Sequence, residues 1–157
     1  CEASVKILQD SFPEATTLRD IPVKDMEKVQ QLLPADLFPK AKHVITETER
    51  VNLASNALHA GDLTVFGNLL KESHRSLSED FEVSCVELDF LAEESWKLPG
   101  VIGSRMMGGG FGGCTINLVA NSEMKNFKAT MRAVYKDKFE IEADFIPVAL
   151  SEGARIL

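Results

Sequence analysis

The sequence has few cysteines and no spaced set of metal ligands. The three cysteines are Cys1, Cys85 and Cys114, which are far apart and form no CxxC pair. This pattern argues against a zinc knuckle and favours reduced thiols in a cytoplasmic protein. The three histidines, His43, His59 and His74, also lack metal-ligand spacing, so we predict no metal site here and a packing or helix-surface role for each histidine.

An excess of positive charge and a long apolar run are also missing. The formal net charge is −7 over 157 residues, which argues against binding to nucleic acid or to an anionic membrane surface. No apolar stretch approaches the roughly 20 residues that a membrane-spanning helix requires. The hydrophobic share of 45% and the charged share of 26% are typical of a soluble globular protein.

The sequence has no initiator methionine and no signal peptide. It starts with CEASVKILQ, a stretch that already has helical character. We therefore predict that these 157 residues are part of a longer protein.

Apolar residues recur at intervals of three and four from Glu2 to about Leu98, which indicates helices. One stripe consists of Val44, Val51, Ala54 and Leu58 and ends at Gly61. A second stripe consists of Leu63, Phe66, Leu70 and Leu77. Asp62 is expected to cap the second helix. Because the connection is short, the two helices should be antiparallel neighbours.

A further helix is predicted to begin near Ser84. The order Ser84-Cys85-Val86-Glu87 matches a capping box, in which Ser84 accepts from the backbone N–H of Glu87 and the Glu87 side chain reaches back. Pro99-Gly100 would end the helix. Its core-facing residues would be Cys85, Leu88, Leu91, Ala92 and Trp96. For Glu87 and Asp89, metal binding or acid–base catalysis is an alternative to a solvated helix face.

After Gly100 the apolar period changes from 3.6 to two residues, which predicts strands over Val101–Met106 and Cys114–Val119. In the second strand, Cys114, Ile116 and Leu118 would share one face. A helix is marked by Met124, Phe127, Met131 and Val134, and a strand is predicted at Asp144–Leu150, where Pro147 favours an edge position. This order is a split βαβ pattern without its first strand. That strand would come from Thr16–Ile21 (TTLRDI) or from sequence outside this chain.

Five glycines lie between Gly108 and Gly113 in the segment SRMMGGGFGGCTINLV. Their spacing satisfies GxGxxG, but the dinucleotide-binding fingerprint opens a helix, whereas this segment runs into a strand. The Lys-Ser/Thr ending of a Walker A loop is absent, as are the HRD and DFG motifs of protein kinases. Two interpretations remain for this connection between strands: a flexible hairpin tip, or a backbone surface that packs closely against a ligand or a second domain. Phosphate is the natural ligand, because clustered backbone N–H groups bind anions.

The same segment resembles the third conserved motif of the galactokinase, homoserine kinase, mevalonate kinase and phosphomevalonate kinase superfamily, the GHMP kinases. Three other segments resemble the galactokinase family in particular: Ala41–Val51 (AKHVITETERV), Glu72–Leu91 (ESHRSLSEDFEVSCVELDFL) and Glu152–Leu157 (EGARIL). The resemblance covers nearly the whole chain and corresponds to the C-terminal half of that family. Met107 stands where the family usually has Thr, and Val86 where it usually has Pro.

The resemblance implies an α+β fold, with a mainly helical part (1–100) packed on a mostly antiparallel, ferredoxin-like sheet. The sheet part (101–157) would follow the order strand, loop, strand, helix, strand. The implied protein is a cytoplasmic enzyme that transfers the γ-phosphoryl group of ATP, with Mg²⁺, to the anomeric hydroxyl of α-D-galactose. The implied partners are ATP, galactose and the chain's own N-terminal domain, without nucleic acid or a membrane.

The resemblance places no catalytic residue and no metal ligand in this chain. The sugar-binding motif, the Ser-rich ATP loop, the magnesium carboxylate and the aspartate facing the sugar hydroxyl belong to the family's N-terminal half. None of these motifs occurs here, so this chain alone is expected to be inactive. The residues expected to line the ATP and sugar cleft are Gly108, Gly109, Gly110, Phe111, Gly112 and Gly113.

Arg105 either lines that cleft or makes a structural ion pair. Three other functional interpretations stay open. The protein is a galactose- or ATP-sensing relative without catalysis, another small-metabolite kinase of the same superfamily, or a free-standing binding module.

Overall fold

The computed structural model describes residues 1–149, which contain six α-helices and a two-stranded antiparallel sheet. The helices are α1 (Glu2–Leu8), α2 (Met26–Leu32), α3 (Phe38–His59), α4 (Leu63–Arg75), α5 (Val86–Trp96) and α6 (Met124–Phe139). Strands β1 (Val101–Met107) and β2 (Cys114–Val119) lie between α5 and α6 in sequence. The predicted α+β class is confirmed. Within residues 1–149, no helix combines the length and apolar character that crossing a membrane requires.

The first hydrophobic core lies among α1, α2 and the start of α3, where Leu8, Val29 and Ile45 are fully buried. The Thr16–Ile21 segment beside it contains a 3₁₀ turn at Leu18–Asp20 instead of a strand. The Asp20 carboxylate accepts the backbone N–H groups of Thr16 and Thr17, at 2.9 and 2.7 Å. These bonds close a turn, so Thr16–Ile21 is the wrong source for the missing strand.

Helices α3 and α4 are antiparallel neighbours, as predicted. The Asp62 carboxylate accepts the Val65 N–H at 2.9 Å and caps the start of α4. His43, near the start of α3, lies 3.0 Å from the Ser76 hydroxyl just after the end of α4. The start of one helix therefore meets the end of the other.

The inward face of α3 differs from the predicted apolar stripe. Val51 and Leu58 are 61% and 51% exposed, so their assignment to the helix contact is wrong. The buried residues of α3 are Ala41, His43, Ile45 and Ala57, and those of α4 are Gly67, Leu69, Ser73 and His74. Most of these residues are small or polar, and the Ser73 hydroxyl of α4 donates to Glu47 of α3 at 2.5 Å.

Helix α5 begins without the predicted capping box. Cys85 is its N-cap residue and makes no side-chain cap bond. The Ser84 hydroxyl instead donates to Asp89 Oδ1 at 2.5 Å, because the Asp89 side chain reaches back one turn to meet it. The inward residues Leu88 and Ala92 are buried as predicted, and the helix ends before Pro99-Gly100.

The two strands pair from Val101 opposite Val119 to Met107 opposite Cys114, with one irregularity near the start of β1. Helix α4 crosses β1 at a contact between two glycines. A Cβ on Gly67 would lie 1.9 Å from the Ile102 carbonyl oxygen, and a Cβ on Gly103 would lie 2.8 Å from Leu70. Glycine at both positions therefore sets how closely the helix approaches the strand. The predicted face of Cys114, Ile116 and Leu118 exists, and it is exposed.

Helix α6 packs Phe127 and Met131 into a second core with Val119, as its spacing predicts. The strand predicted at Asp144–Leu150 is wrong for residues 144–149, which have no regular secondary structure; Leu150 lies outside the described residues, as does the Glu152–Leu157 segment. The Phe145 ring instead stacks edge-on against Phe127, with centroids 6.3 Å apart. Pro147 has no N–H for a sheet bond. The described sheet therefore has two strands and lacks the ferredoxin-like third.

Candidate functional site

The glycine-rich segment is an inter-strand loop at one end of the sheet, as predicted. It connects Met107 and Cys114, the last cross-strand pair. Positive φ angles occur at Gly108 (+82°), Gly110 (+82°), Gly112 (+131°) and Gly113 (+100°). Residues with a Cβ rarely adopt such angles, so the shape of this loop requires glycine. Phe111 is also left-handed, with φ of 60°, and its side chain is 76% exposed.

One contact anchors the loop to the rest of the chain. The Phe111 N–H donates to the Val83 carbonyl oxygen at 2.7 Å, and a Cβ on Gly110 would lie 1.9 Å from the same oxygen. Among residues 1–149, the N–H groups of Gly109, Gly112 and Gly113 donate to no protein acceptor. The loop therefore has a fixed side at Val83 and a side with unpaired backbone donors.

Asp89 gathers three polar side chains near the anchor, a group we call the Asp89 cluster (His74, Ser78, Ser84 and Asp89). The Ser78 hydroxyl donates to Asp89 Oδ2 at 2.8 Å, and the Ser84 hydroxyl donates to Oδ1 at 2.5 Å. His74 Nε2 lies 3.2 Å from Oδ1, in a bent geometry that is short of a full hydrogen bond. The cluster joins α4, the segment before α5, and α5 itself.

His74 connects the Asp89 cluster with β1. Its Nδ1 accepts the Met106 N–H at 3.1 Å, so in the neutral ring the proton is on Nε2, towards Asp89. The His74 side chain is 2% exposed. Burial lowers the pKa of His74 below its usual value, against the opposing effect of the Asp89 and Glu93 carboxylates. The ring is therefore neutral near pH 7.

Arg105 makes the ion pair that was one of its two predicted roles. Its guanidinium lies 3.2 Å from Glu47 and donates to the Ser73 hydroxyl at 2.8 Å. Its Nε donates to the Met106 carbonyl at 3.0 Å. The Ser73 hydroxyl in turn donates to Glu47 at 2.5 Å, and Arg50 also pairs with Glu47. These contacts join β1 to α3 and α4.

Sequence reasoning missed the hydrogen-bonding role of Asp89 and the partner of the Arg105 ion pair. Asp89 was assigned to a solvated helix face, although it lies in the Glu72–Leu91 segment that carries the family resemblance. Glu47 and Arg105 are 58 positions apart, and no local pattern connects them. No metal-binding group of three His, Cys, Asp or Glu side chains occurs in the part of the chain that the structure describes.

Comparison with known proteins gives a family match and several close relatives. The family described as "GHMP kinases C terminal" matches residues 54–137, more than half of the chain. The galactokinase of Enterococcus faecalis is 43% identical over 159 aligned residues, which cover 100% of this chain and 41% of that protein. The galactokinase of Fusobacterium nucleatum is 37% identical, with 98% and 40% covered. The chain thus spans about two fifths of the length of these relatives.

A solved structure is also similar. It is the crystal structure of Lactococcus lactis galactokinase complexed with galactose, which superposes with a TM-score of 0.81 at 35% sequence identity. The match covers 89% of this chain and 37% of that one. The fold of the described residues is therefore that of a part of the Lactococcus protein.

Proposed function

This chain belongs to the GHMP kinases, and we propose that it is the C-terminal lobe of a galactokinase. The complete protein would transfer the γ-phosphoryl group of ATP to the anomeric hydroxyl of α-D-galactose. The observation that carries the proposal is the identity of 37–43% with galactokinases over 98–100% of the chain. The domain proposal covers residues 1–157, with a mainly helical part at 1–100 and the sheet part at 101–157.

We propose that Gly108–Gly113 border the cleft for ATP and sugar. The unpaired N–H groups of Gly109, Gly112 and Gly113 are suited to anionic phosphate oxygens, and glycine lets a phosphate approach the backbone closely. Phosphoryl transfer depends mainly on positioning and charge stabilisation. A loop without a reactive side chain can therefore contribute strongly to the rate.

Among residues 1–149, no three His, Cys, Asp or Glu side chains are grouped so that they could hold a metal ion. Mg²⁺ in phosphoryl-transfer enzymes is bound through one or two carboxylates together with substrate phosphates. We propose that the N-terminal domain supplies the metal ligands and the catalytic base, and that this domain is the chain's direct partner. The three cysteines are unpaired thiols, which fits the reducing cytoplasm.

The test measures ADP release with galactose and Mg-ATP for the full-length protein that contains this chain. We expect the full-length protein to turn over, and residues 1–157 alone to show no turnover. Gly110→Val should lower kcat by about a hundredfold or more, since an error of about 1 Å in positioning can cost that much. Gly61→Val is the matched control, because Gly61 also has positive φ (+70°) but nothing lies within 4 Å of its added Cβ.

Three outcomes would contradict the proposal. Robust turnover by residues 1–157 alone would refute the assignment as an inactive lobe. Galactose binding by the full-length protein without ADP release would identify a sensor. A folded Gly110→Val protein with the same kcat as Gly61→Val would mean that the loop is a hairpin tip without an effect on turnover.

A further inference from the structure

We propose that Asp89 is a positioning residue that sets the shape of the glycine-rich loop through two routes. The loop's effect on phosphoryl transfer rests on the proposed function, whereas its anchoring to Asp89 does not. One route runs from Asp89 through Ser84 to the carbonyl that anchors the loop. The other runs from Asp89 through His74 to the end of the strand from which the loop leaves.

The first route uses the chain segment just before α5. Ser84 is bonded to Asp89 Oδ1 at 2.5 Å, and its neighbour Val83 offers the carbonyl that accepts the Phe111 N–H at 2.7 Å. Gly110 lies against the same carbonyl oxygen. The position of this carbonyl therefore decides where the middle of the loop lies, and the Ser84 bond fixes the adjacent residue.

The second route uses β1. His74 lies 3.2 Å from Asp89 on one side of its ring and accepts the Met106 N–H on the other side. Met106 is fully buried and pairs with Thr115 across the sheet. It is two residues before Gly108, so this contact fixes the point where the loop begins. Asp89 thus acts on both the start and the middle of the loop.

The chemistry of the cluster favours a carboxylate at position 89. All three partners present hydrogen to it: the hydroxyls of Ser78 and Ser84, and the Nε2 proton of His74. An ionised carboxylate only accepts, and its two oxygens have room for several donors. An Asn side chain has nearly the same shape, but its amide nitrogen donates where one carboxylate oxygen accepts, and its remaining oxygen is a neutral acceptor that forms weaker hydrogen bonds than an ionised carboxylate. Asp89→Asn therefore tests the acceptor role with little change in volume.

A role in helix stability alone is the competing explanation, because Asp89 is in the first turn of α5, where negative charge is favourable. Glu87 occupies the same turn and makes no hydrogen bond or ion pair with another described residue. Glu87→Gln therefore removes the same charge from the helix terminus without touching the cluster. Ser78→Ala removes a hydrogen bond to Asp89 that belongs to neither route.

The experiment measures hydrogen–deuterium exchange of the Phe111 amide, which donates to the Val83 carbonyl, from overlapping peptides across residues 107–113 of the full-length protein, with steady-state kinetics on the same variants. We expect this loop exchange to become about tenfold faster in Ser84→Ala and Asp89→Asn, since each weakens a hydrogen bond that supports the anchor. Ser84→Thr keeps the hydroxyl and should restore the original exchange. Glu87→Gln and Ser78→Ala should leave loop exchange unchanged.

The kinetic expectation is a fall of about tenfold in kcat for Ser84→Ala and Asp89→Asn, with the galactose KM within about twofold of the original. Unchanged loop exchange in folded Ser84→Ala and Asp89→Asn would overturn the positioning role, and Ser84→Ala decides if Asp89→Asn does not fold. Equal acceleration in Glu87→Gln would also overturn it in favour of helix stability. Absence of galactose turnover in the unmodified protein would refute the proposed function, while the exchange result still decides the role of Asp89.

Discussion

Gly110 is the position where the loop geometry gives the sharpest prediction for stability. A methyl group added there would lie 1.9 Å from the Val83 carbonyl oxygen and 2.8 Å from its carbon. The φ angle of +82° also disfavours any residue with a Cβ. The loop in Gly110→Ala must therefore move away from Val83, which breaks the bond from the Phe111 N–H.

The loss of stability in Gly110→Ala has two causes, the left-handed backbone conformation and the broken hydrogen bond. A left-handed conformation costs a non-glycine residue about 1–2 kcal/mol, and a lost hydrogen bond costs about 0.5–1.5 kcal/mol. We expect Gly110→Ala to lower the free energy of unfolding by about 2–3 kcal/mol. Gly108→Ala has only the cost of the left-handed conformation, because φ is +82° there but no atom lies within 4 Å of the added carbon. Gly109→Ala has neither cost and should change stability by less than about 0.5 kcal/mol.

The assay is urea unfolding of residues 1–157, followed by circular dichroism for the three variants and the original sequence. The loss of unfolding free energy should rank Gly110→Ala first, Gly108→Ala second and Gly109→Ala last. If Gly110→Ala is as stable as Gly109→Ala, then the loop is not held against Val83 and the anchor described above is wrong.

Two further predictions concern the core and pH. Leu88→Ala should lower the unfolding free energy by about 2–5 kcal/mol, since Leu88 is 1% exposed among apolar neighbours. Val86 is 63% exposed, so Val86→Ala should lower it by less than about 0.5 kcal/mol. Equal losses for the two variants in urea melts would contradict the packing of α5. Burial is the largest cause of the lowered pKa of both His43 and His74, so the unfolded chain binds more protons at mildly acidic pH. The contribution of these two rings to the free energy of unfolding should be fully present above pH 6.5, the ordinary histidine pKa. It should be lost as the pH falls through the lowered folded-state pKa. Urea melts between pH 5 and 8 measure this, and a rise in stability on acidification would refute the neutral, buried state of these rings.

The sequence was most informative where structure is local. The period of two residues located β1 and β2 correctly, and the spacing of Phe127 and Met131 located α6. The cap at Asp62 was also predicted correctly, because it depends on residues three positions apart. In each case the deciding interaction lies within one element or one turn.

The failures have a common physical cause, which is competition from partners distant in sequence. Ser84 has the local pattern of a capping box with Glu87, but its hydroxyl bonds to Asp89, which also accepts from Ser78 and lies 3.2 Å from His74 Nε2. Periodicity on α3 selected Val51, which is exposed, while buried His43 pairs with Ser76. Apolar periodicity does not register polar side chains that are buried by pairing with each other.

The candidate site depends on both a local sequence pattern and contacts between residues that are distant in sequence. The glycine cluster is evident from the sequence, and four of its five glycines have positive φ angles at which a residue with a Cβ is strained. Its placement depends on the Val83 carbonyl, 28 positions before Phe111, and on the Asp89 cluster that fixes the neighbouring Ser84. A glycine-rich loop on its own is flexible and loses much entropy when a ligand orders it. Anchoring one side at Val83 while the N–H groups on the other side stay unpaired reduces that loss, and for this reason we expect a weakened anchor to lower turnover by about tenfold even when every glycine is kept.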